Sequence, residues 1–427
     1  MQSYIYNLNN NNSKVRLSVK INFYFTCLLV IWSLTPYLMR ELQQLFVILL
    51  FLGWWVTALF SILAKKPITI NKTTKVIPIT IIWLIIVTIY VMVQLPNFYF
   101  GNYFYIVLYY MPILFLAFYL RCGNIKIIKQ LVLFTLVVLL TNSISNIMIL
   151  FDNPYAAKEA TGGYGLIDYS NTNVITDKSA FTIVLGIYLA LLGVYFSLVK
   201  RIKILFLILT YTLLLLLLQS TFFIGLISLI IIISCYFLIR GDRVISLIKG
   251  LLFLIICTFI LIFKNNVSFL INDWIVATTS NQLIITRVHL LTDLIVNFSV
   301  SGTLEARLVN IRESFVTFLE NPFFGKGYVN SFISQSVGIG NHSYIFDNLA
   351  KFGIVGFFFE LTVYITFIRY VTSNIDSKLR KYYYCSWSGF VFYALFNPIV
   401  FPSVGILLFF IFPLFIHYKS LTLSRDS

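Results

Sequence analysis

The residues best placed to do chemistry fall in one stretch of the chain. Arg307 lies in Thr303–Glu320, where Leu304, Leu308, Ile311, Phe315 and Phe318 recur at spacings of 4, 3, 4 and 3. That spacing predicts an amphipathic helix, ended by Asn321–Pro322, because proline cannot continue a helix and restricts the residue before it. Arg307 falls on one edge of the apolar stripe, beside Phe318, and Arg312 on the other, beside Glu305. A helix of this kind suits a membrane surface with its apolar face inward. An arginine at its edge then sits at the depth of lipid phosphates, as a phosphate ligand or as an ordinary snorkelling side chain. Downstream, Gly325–Lys326–Gly327 forms a flexible turn whose backbone N–H groups could meet an anion. It lacks the spacing and the Lys-Ser/Thr pair of a Walker A loop. His342, in Gly338–Ile339–Gly340–Asn341–His342–Ser343, directly precedes a long apolar block. It could act as a general base or as a structural hydrogen-bonder. His289 and His417 have no comparable surroundings.

The elements that must carry these residues are written in the composition. Of the 427 residues, 59% are hydrophobic and 11% charged, far from the quarter that a water-soluble surface needs. The apolar residues come in blocks of the length that crosses about 30 Å of hydrocarbon. Twelve are legible, near 21–38, 44–64, 76–95, 103–120, 130–150, 179–199, 204–219, 221–239, 247–263, 344–368, 385–400 and 403–418. The expected fold is therefore all-α, a single polytopic transmembrane domain over 1–427. Continuous apolar runs argue against a membrane barrel, whose strands alternate. The first block follows Lys14, Arg16 and Lys20, lacks a convincing cleavage site and reads as a retained anchor.

The formal charge is +16. Most of the 31 basic residues lie in alternate connections, counted from the N-terminus: Lys65 to Lys75, Arg121 to Lys129, Lys200 to Lys203, Arg240 to Lys249, Arg369 to Lys381 and the C-terminal tail. The short connections between them are nearly free of Lys and Arg. This positive-inside pattern puts both termini in the cytoplasm. The basic balance thus reports topology and contact with anionic lipid, not nucleic acid. Cys27, Cys122, Cys235, Cys257 and Cys385 lie in apolar blocks or near their cytoplasmic ends, with no disulfide framework and no metal-ligand spacing. Two long connections face outward, 151–178 and 264–343. Long loops of this kind are often functional.

Taken in order, Ala306–Arg307, Pro322, Gly325, Gly327, Asn341–His342–Ser343 and Asp347 to Gly356 resemble the shared segment of O-antigen polymerases and ligases. That family has an arginine opening a periplasmic helix, a Pro-x-x-Gly-x-Gly turn, and a histidine just before a span with a Gly-x-x-Gly pair. The motif covers about 303–356; elsewhere the resemblance is architectural. It implies a metal-independent glycosyltransferase of the bacterial inner membrane, without a cofactor, acting on an undecaprenyl-diphosphate-linked glycan at the periplasmic face. It also implies a chain-length regulator as partner. Carried over, Arg307 binds the diphosphate and His342 orients or deprotonates the acceptor hydroxyl. Arg312, Arg287, Lys326, Lys351 and Asn341 are further candidates for phosphate or glycan contact. The Asn-His-Ser context looks like a polymerase; ligases, which transfer finished glycan to lipid A-core, more often read His-Asn. The sequence departs from the family at Ser220–Thr221, where an arginine usually follows the serine. A lipid-linked oligosaccharide transporter is the rival class, although the spans are nearly free of charge apart from Glu360.

Overall fold

The computed structural model describes residues 13–42, 44–63, 75–93, 100–159, 174–176, 180–197, 200–220, 222–239, 264–278, 285–286, 288–289, 292, 303–327, 338–373 and 375–426. Among them the protein is all-helical, with no strand. Apolar helices cover the early blocks: Ser13–Leu34, Gln44–Leu63, Val76–Val93, the pair Phe100–Tyr110 and Pro112–Cys122, and Ile125–Asp152. Ala180–Phe196, Lys200–Gln219 and Phe223–Ile239 follow, and Tyr344–Ser373, Ser377–Phe396 and Pro402–Asp426 complete the set. The block 247–263 lies outside the described residues. Among the described residues six helices are long and apolar enough to cross a membrane: Leu17–Leu34, Phe104–Cys122, Ile125–Asp152, Lys200–Gln219, Tyr344–Ser373 and Pro402–Thr422.

Helix boundaries follow local chemistry. Pro112 divides the fourth block, and Gly123 closes it in the left-handed conformation (φ 63°) that glycine adopts without strain. Asn124 then caps the next helix by accepting from the Ile127 N–H at 3.2 Å.

The last helix is the axis of the bundle. Every residue from Pro402 to Ile416 is buried. Pro413 removes a backbone donor, and just before it the helix widens into a π turn, Ile406–Ile411, with the Phe412 N–H reaching the Leu407 carbonyl. Aromatic rings converge on this turn. Tyr109, Tyr110, Tyr364 and Phe367 pack on Phe409, and Tyr188 and Tyr383 on Phe412. The outer helices leave apolar faces open instead, as Leu45, Leu49, Leu52, Val56 and Phe60 do in Gln44–Leu63. Such faces are compatible with lipid, since the backbone groups behind them are bonded within the helix.

The 264–343 connection has helical structure of its own, Lys264–Thr278 and Thr303–Glu320. In the 151–178 connection, Val174 and Ile175 are buried, and the Ile175 N–H donates to Asn146 Oδ1 at 2.6 Å.

The block 344–368 is not one straight span. Gly353 interrupts its helix with φ 61° and ψ −170°, a region open essentially to glycine alone. In a straight helix Tyr344 and Glu360 would stand about 24 Å apart. Instead the Tyr344 hydroxyl donates to Glu360 Oε1, and Asn348 Nδ2 donates to Glu360 Oε2 at 2.7 Å. The chain therefore bends back sharply at Gly353, into a short segment over 344–352 and a longer one from Ile354 to Ser373.

Candidate functional site

Thr303–Glu320 forms the expected helix and ends at Asn321–Pro322. Its packed face, however, is polar. Arg307, Asn310, Ser314 and Thr317 recur at spacings of 3, 4 and 3 and turn toward the protein, with Ser314 and Thr317 fully buried. Leu308 and Phe315, at 40% and 41% exposure, turn outward. Much of the apolar stripe thus faces the surroundings, although Ile311 and Phe318 are half-buried and the Phe315 ring packs edge-on against Phe346 at 5.9 Å; hydrogen bonds from the polar face hold the helix to the protein as well.

Those bonds lay the histidine segment along the helix. Thr317 Oγ1 donates to the Gly338 carbonyl at 2.6 Å, and the Gly340 N–H donates to Ser314 Oγ at 2.9 Å. Gly340 touches the Asn310 backbone so closely that a Cβ would overlap it. Ser314 also donates to Asp347 Oδ1 at 2.6 Å. Ser343 caps the following helix by accepting from the Phe346 N–H, and Asp347 reaches back to the Ser343 N–H at 3.2 Å. His342, half-buried, is the residue just before this cap. Asn341 takes a positive φ of 55° and accepts from Lys351 Nζ at 3.4 Å.

The turn at 322–327 fits into the break at Gly353. The Lys326 and Gly327 N–H groups donate to the carbonyls of Ala350 and Lys351, both at 2.8 Å. The Ile354 and Val355 N–H groups donate to the carbonyls of Pro322 and Phe323, at 2.8 and 3.1 Å. The turn thereby satisfies backbone groups that the broken helix cannot pair by itself, as burial requires. It also corrects the reading of the turn as an anion nest. The Gly325 N–H goes to the Asn321 carbonyl at 3.0 Å, so all three N–H groups from 325 to 327 are bonded within the protein. The glycines serve close approach instead: a Cβ on Gly325 would lie 2.5 Å from the Lys351 carbonyl.

Arg307 sits at the carbonyl end of Ser377–Phe396. Its Nη1 donates to the Phe396 carbonyl at 3.0 Å and to Asn397 Oδ1. A cation is favoured there by the helix dipole. The Asn397 carbonyl in turn accepts from the Tyr344 N–H at 3.3 Å. Asn397 therefore links Arg307 to the residue two positions after His342. No protein-family model matches the chain, and no curated protein matches it.

Of the residues singled out in the sequence, Arg307, Asn341, His342 and Lys351 come together around the short segment. Arg312 is exposed on the loop helix, and Lys326 projects an exposed side chain from the turn. Arg287 lies outside the described residues. Among the described residues no cluster of three His, Cys, Asp or Glu side chains could hold a metal ion.

Sequence reasoning missed the polar cluster beneath the short segment. Glu360 accepts from Tyr110 at 2.5 Å, from Tyr344 and from Asn348. Tyr364 lies 2.6 Å from the Tyr344 hydroxyl and 3.2 Å from that of Tyr110. Lys351 interacts electrostatically with both Asp347 and Glu360. The signal available was Asn348 and Glu360, two polar residues in one apolar block. Only the bend brings them into contact.

Proposed function

We propose that the chain is a membrane glycosyltransferase of the O-antigen polymerase type, joining undecaprenyl-diphosphate-linked repeat units at the periplasmic face of a bacterial inner membrane. The observation that carries this reading is convergence. Arg307, the Pro322–Gly327 turn, Asn341–His342–Ser343 and the Gly353 break are spread over some fifty positions, and hydrogen bonds join them around one short segment. These are the residues on which the family resemblance rests. In this reading the protein crosses the membrane twelve times, with both termini inside and the 264–343 connection outside.

The chemistry asks little beyond positioning and charge. An acceptor sugar hydroxyl attacks the anomeric carbon of the growing lipid-linked chain. The bond from that carbon to the diphosphate breaks, and the diphosphate leaves with the electron pair. His342 takes the hydroxyl proton as general base. Arg307, whose guanidinium has five donors in a planar fork, suits the charge that builds on the leaving oxygen. Lys351 and Asn341 contact the phosphate or glycan beside them, with Arg312, Lys326 and Arg287 as outlying cations.

The test compares surface polysaccharide from a deletion strain carrying the wild-type gene, His342→Ala or Arg307→Ala, with protein levels matched. The expected result is collapse of the ladder to a single repeat on its final acceptor. Loss of all attached glycan, with long polymer held on the lipid carrier, would assign the ligase reaction instead. An unchanged ladder in both variants would sink the catalytic assignment.

One observation favours transport as the second reading: a bent helix with ionisable groups buried at the bend, a pattern common in transporters. Translocation of a fluorescent lipid-linked repeat by the reconstituted chain, abolished by Glu360→Leu and unaffected by His342→Ala, would bring that reading forward.

A further inference from the structure

Glu360 is 2% exposed and lies in the crook of the bend. Three side chains donate to it, and two of them, Tyr344 and Asn348, belong to the short segment; the third, Tyr110, belongs to a neighbouring helix. The hydroxyl protons can all run one way. With Tyr110 and Tyr344 each donating to the carboxylate, Tyr344 is left to accept, and Tyr364 at 2.6 Å can donate to it. Tyr364 in turn can accept from Tyr109 at 3.4 Å. In this orientation every hydroxyl has an acceptor, and the run of bonds ends on Glu360. Buried polar networks satisfied in this way rigidify and specify a single arrangement.

The short segment has other attachments: at its start the Ser314–Asp347 bond and the Tyr344–Asn397 backbone bond, and at its end the Lys326 and Gly327 N–H groups on the Ala350 and Lys351 carbonyls, with the Tyr90 hydroxyl on the Phe352 carbonyl at 3.5 Å; none of these runs to the longer segment. Glu360 is the anchor from below. Without it, Asn348 loses its acceptor and Tyr344 is left with only the hydroxyls of Tyr110 and Tyr364, so the side-chain ties across the bend shrink to the Tyr344–Tyr364 contact.

We propose that Glu360 is a positioning residue: through Tyr344 and Asn348 it clamps the short segment across the bend and so fixes where His342 stands relative to Arg307. This rests on the polymerase reading for its catalytic consequence, but not for the clamp itself. Glu360 does not touch substrate in this account.

The full-length chain in lipid nanodiscs tests it through two readouts. Hydrogen exchange over 338–352 reads the clamp, and turnover of purified lipid-diphosphate-linked repeat reads its consequence. Glu360→Leu removes the carboxylate that accepts from all three donors. It should speed exchange over 338–352 while leaving Ile125–Asp152 unchanged. It should also lower kcat roughly 100-fold, the cost of a small misplacement at a reacting centre, with KM changed less than about twofold, as expected when orientation and not binding is lost. Glu360→Gln keeps an oxygen for both tyrosines, and Asn348 can flip to meet the amide, so it should restore slow exchange and most of the turnover. Should Glu360→Leu fail to accumulate, Tyr344→Phe removes one donor and keeps the ring; faster exchange over 338–352 is expected there too. Unchanged exchange over 338–352 in Glu360→Leu, or in Tyr344→Phe where that variant stands in, would overturn the clamp. Faster exchange in Glu360→Leu together with an unaffected ladder in His342→Ala would keep the clamp and remove the catalytic reading.

Discussion

At Arg307 an observed structural duty and the proposed chemical one fall on the same side chain. Its bonds to the Phe396 carbonyl and to Asn397 are those of a cation closing a helix end. The same charge stands beside the segment that holds His342. Substituting lysine separates the two duties. Lysine keeps the charge and can reach one carbonyl, but it presents a point charge and not a planar fork. Arg307→Lys should therefore accumulate and melt close to wild type, while polymer yield falls by about 100-fold, the scale of losing one donor to transition-state charge. Thermal unfolding in detergent and gel analysis of the polysaccharide check the two halves. A variant as active as wild type would reduce Arg307 to a helix cap.

At the scale of elements, the interlocking of the 322–327 turn with the Gly353 break makes the strongest demand on sequence. Gly353 occupies a conformation that costs other residues roughly 1–3 kcal/mol, and a Cβ there would also overlap the Phe323 carbonyl. Gly353→Ala should lower the unfolding temperature measurably and, on the polymerase reading, abolish the polymer ladder, whereas Gly225→Ala, whose nearest obstacle is the end of the Leu217 side chain at 3.2 Å, should be milder. Equal behaviour of the two variants would mean that the interlock is not a constraint. This element also marks where sequence reading stops. Apolar blocks are legible because span length and hydropathy are properties of a single segment. The loop helix over Thr303–Glu320 is legible because its periodicity is local. The bend is not, because Gly353 sits in an unbroken apolar run, and glycines there read equally well as helix-packing residues. The packed face of the loop helix was out of reach of the sequence for a related reason. Leu308 and Phe315 dominate its pattern, yet Ser314 and Thr317 find partners more than twenty residues away, which no local period records. Arg307 and His342 stand out in the sequence through the ordered resemblance to a family, their own positions leaving snorkelling and structural readings open; the acceptor at Phe396 and the bonds to Glu360 depend on the folded chain.

For the whole molecule, the charge pattern and the buried axis make a joint claim about orientation. The axial helix ends in His417, Lys419 and Arg425, and the Asp376 N–H bonds to Ser420 Oγ at 2.8 Å. The basic 375–381 connection and the C-terminal tail are therefore at the same end of the bundle, as the positive-inside pattern requires of two cytoplasmic segments. The Arg307 cluster is at the other end of Ser377–Phe396, about 30 Å away along a helix of this length. If the first end is cytoplasmic, the candidate site is periplasmic, where lipid-linked repeats would be joined. Single cysteines at Lys378 and Lys326, in a chain with its five native cysteines replaced by serine, test this with a membrane-impermeant maleimide on intact spheroplasts. Lys326→Cys should label readily, and Lys378→Cys only after the membrane is opened. The reverse pattern would put the candidate site on the cytoplasmic side and exclude periplasmic polymerisation. Labelling of both positions from outside would contradict the bundle itself, because Ser377–Phe396 would then not separate two compartments.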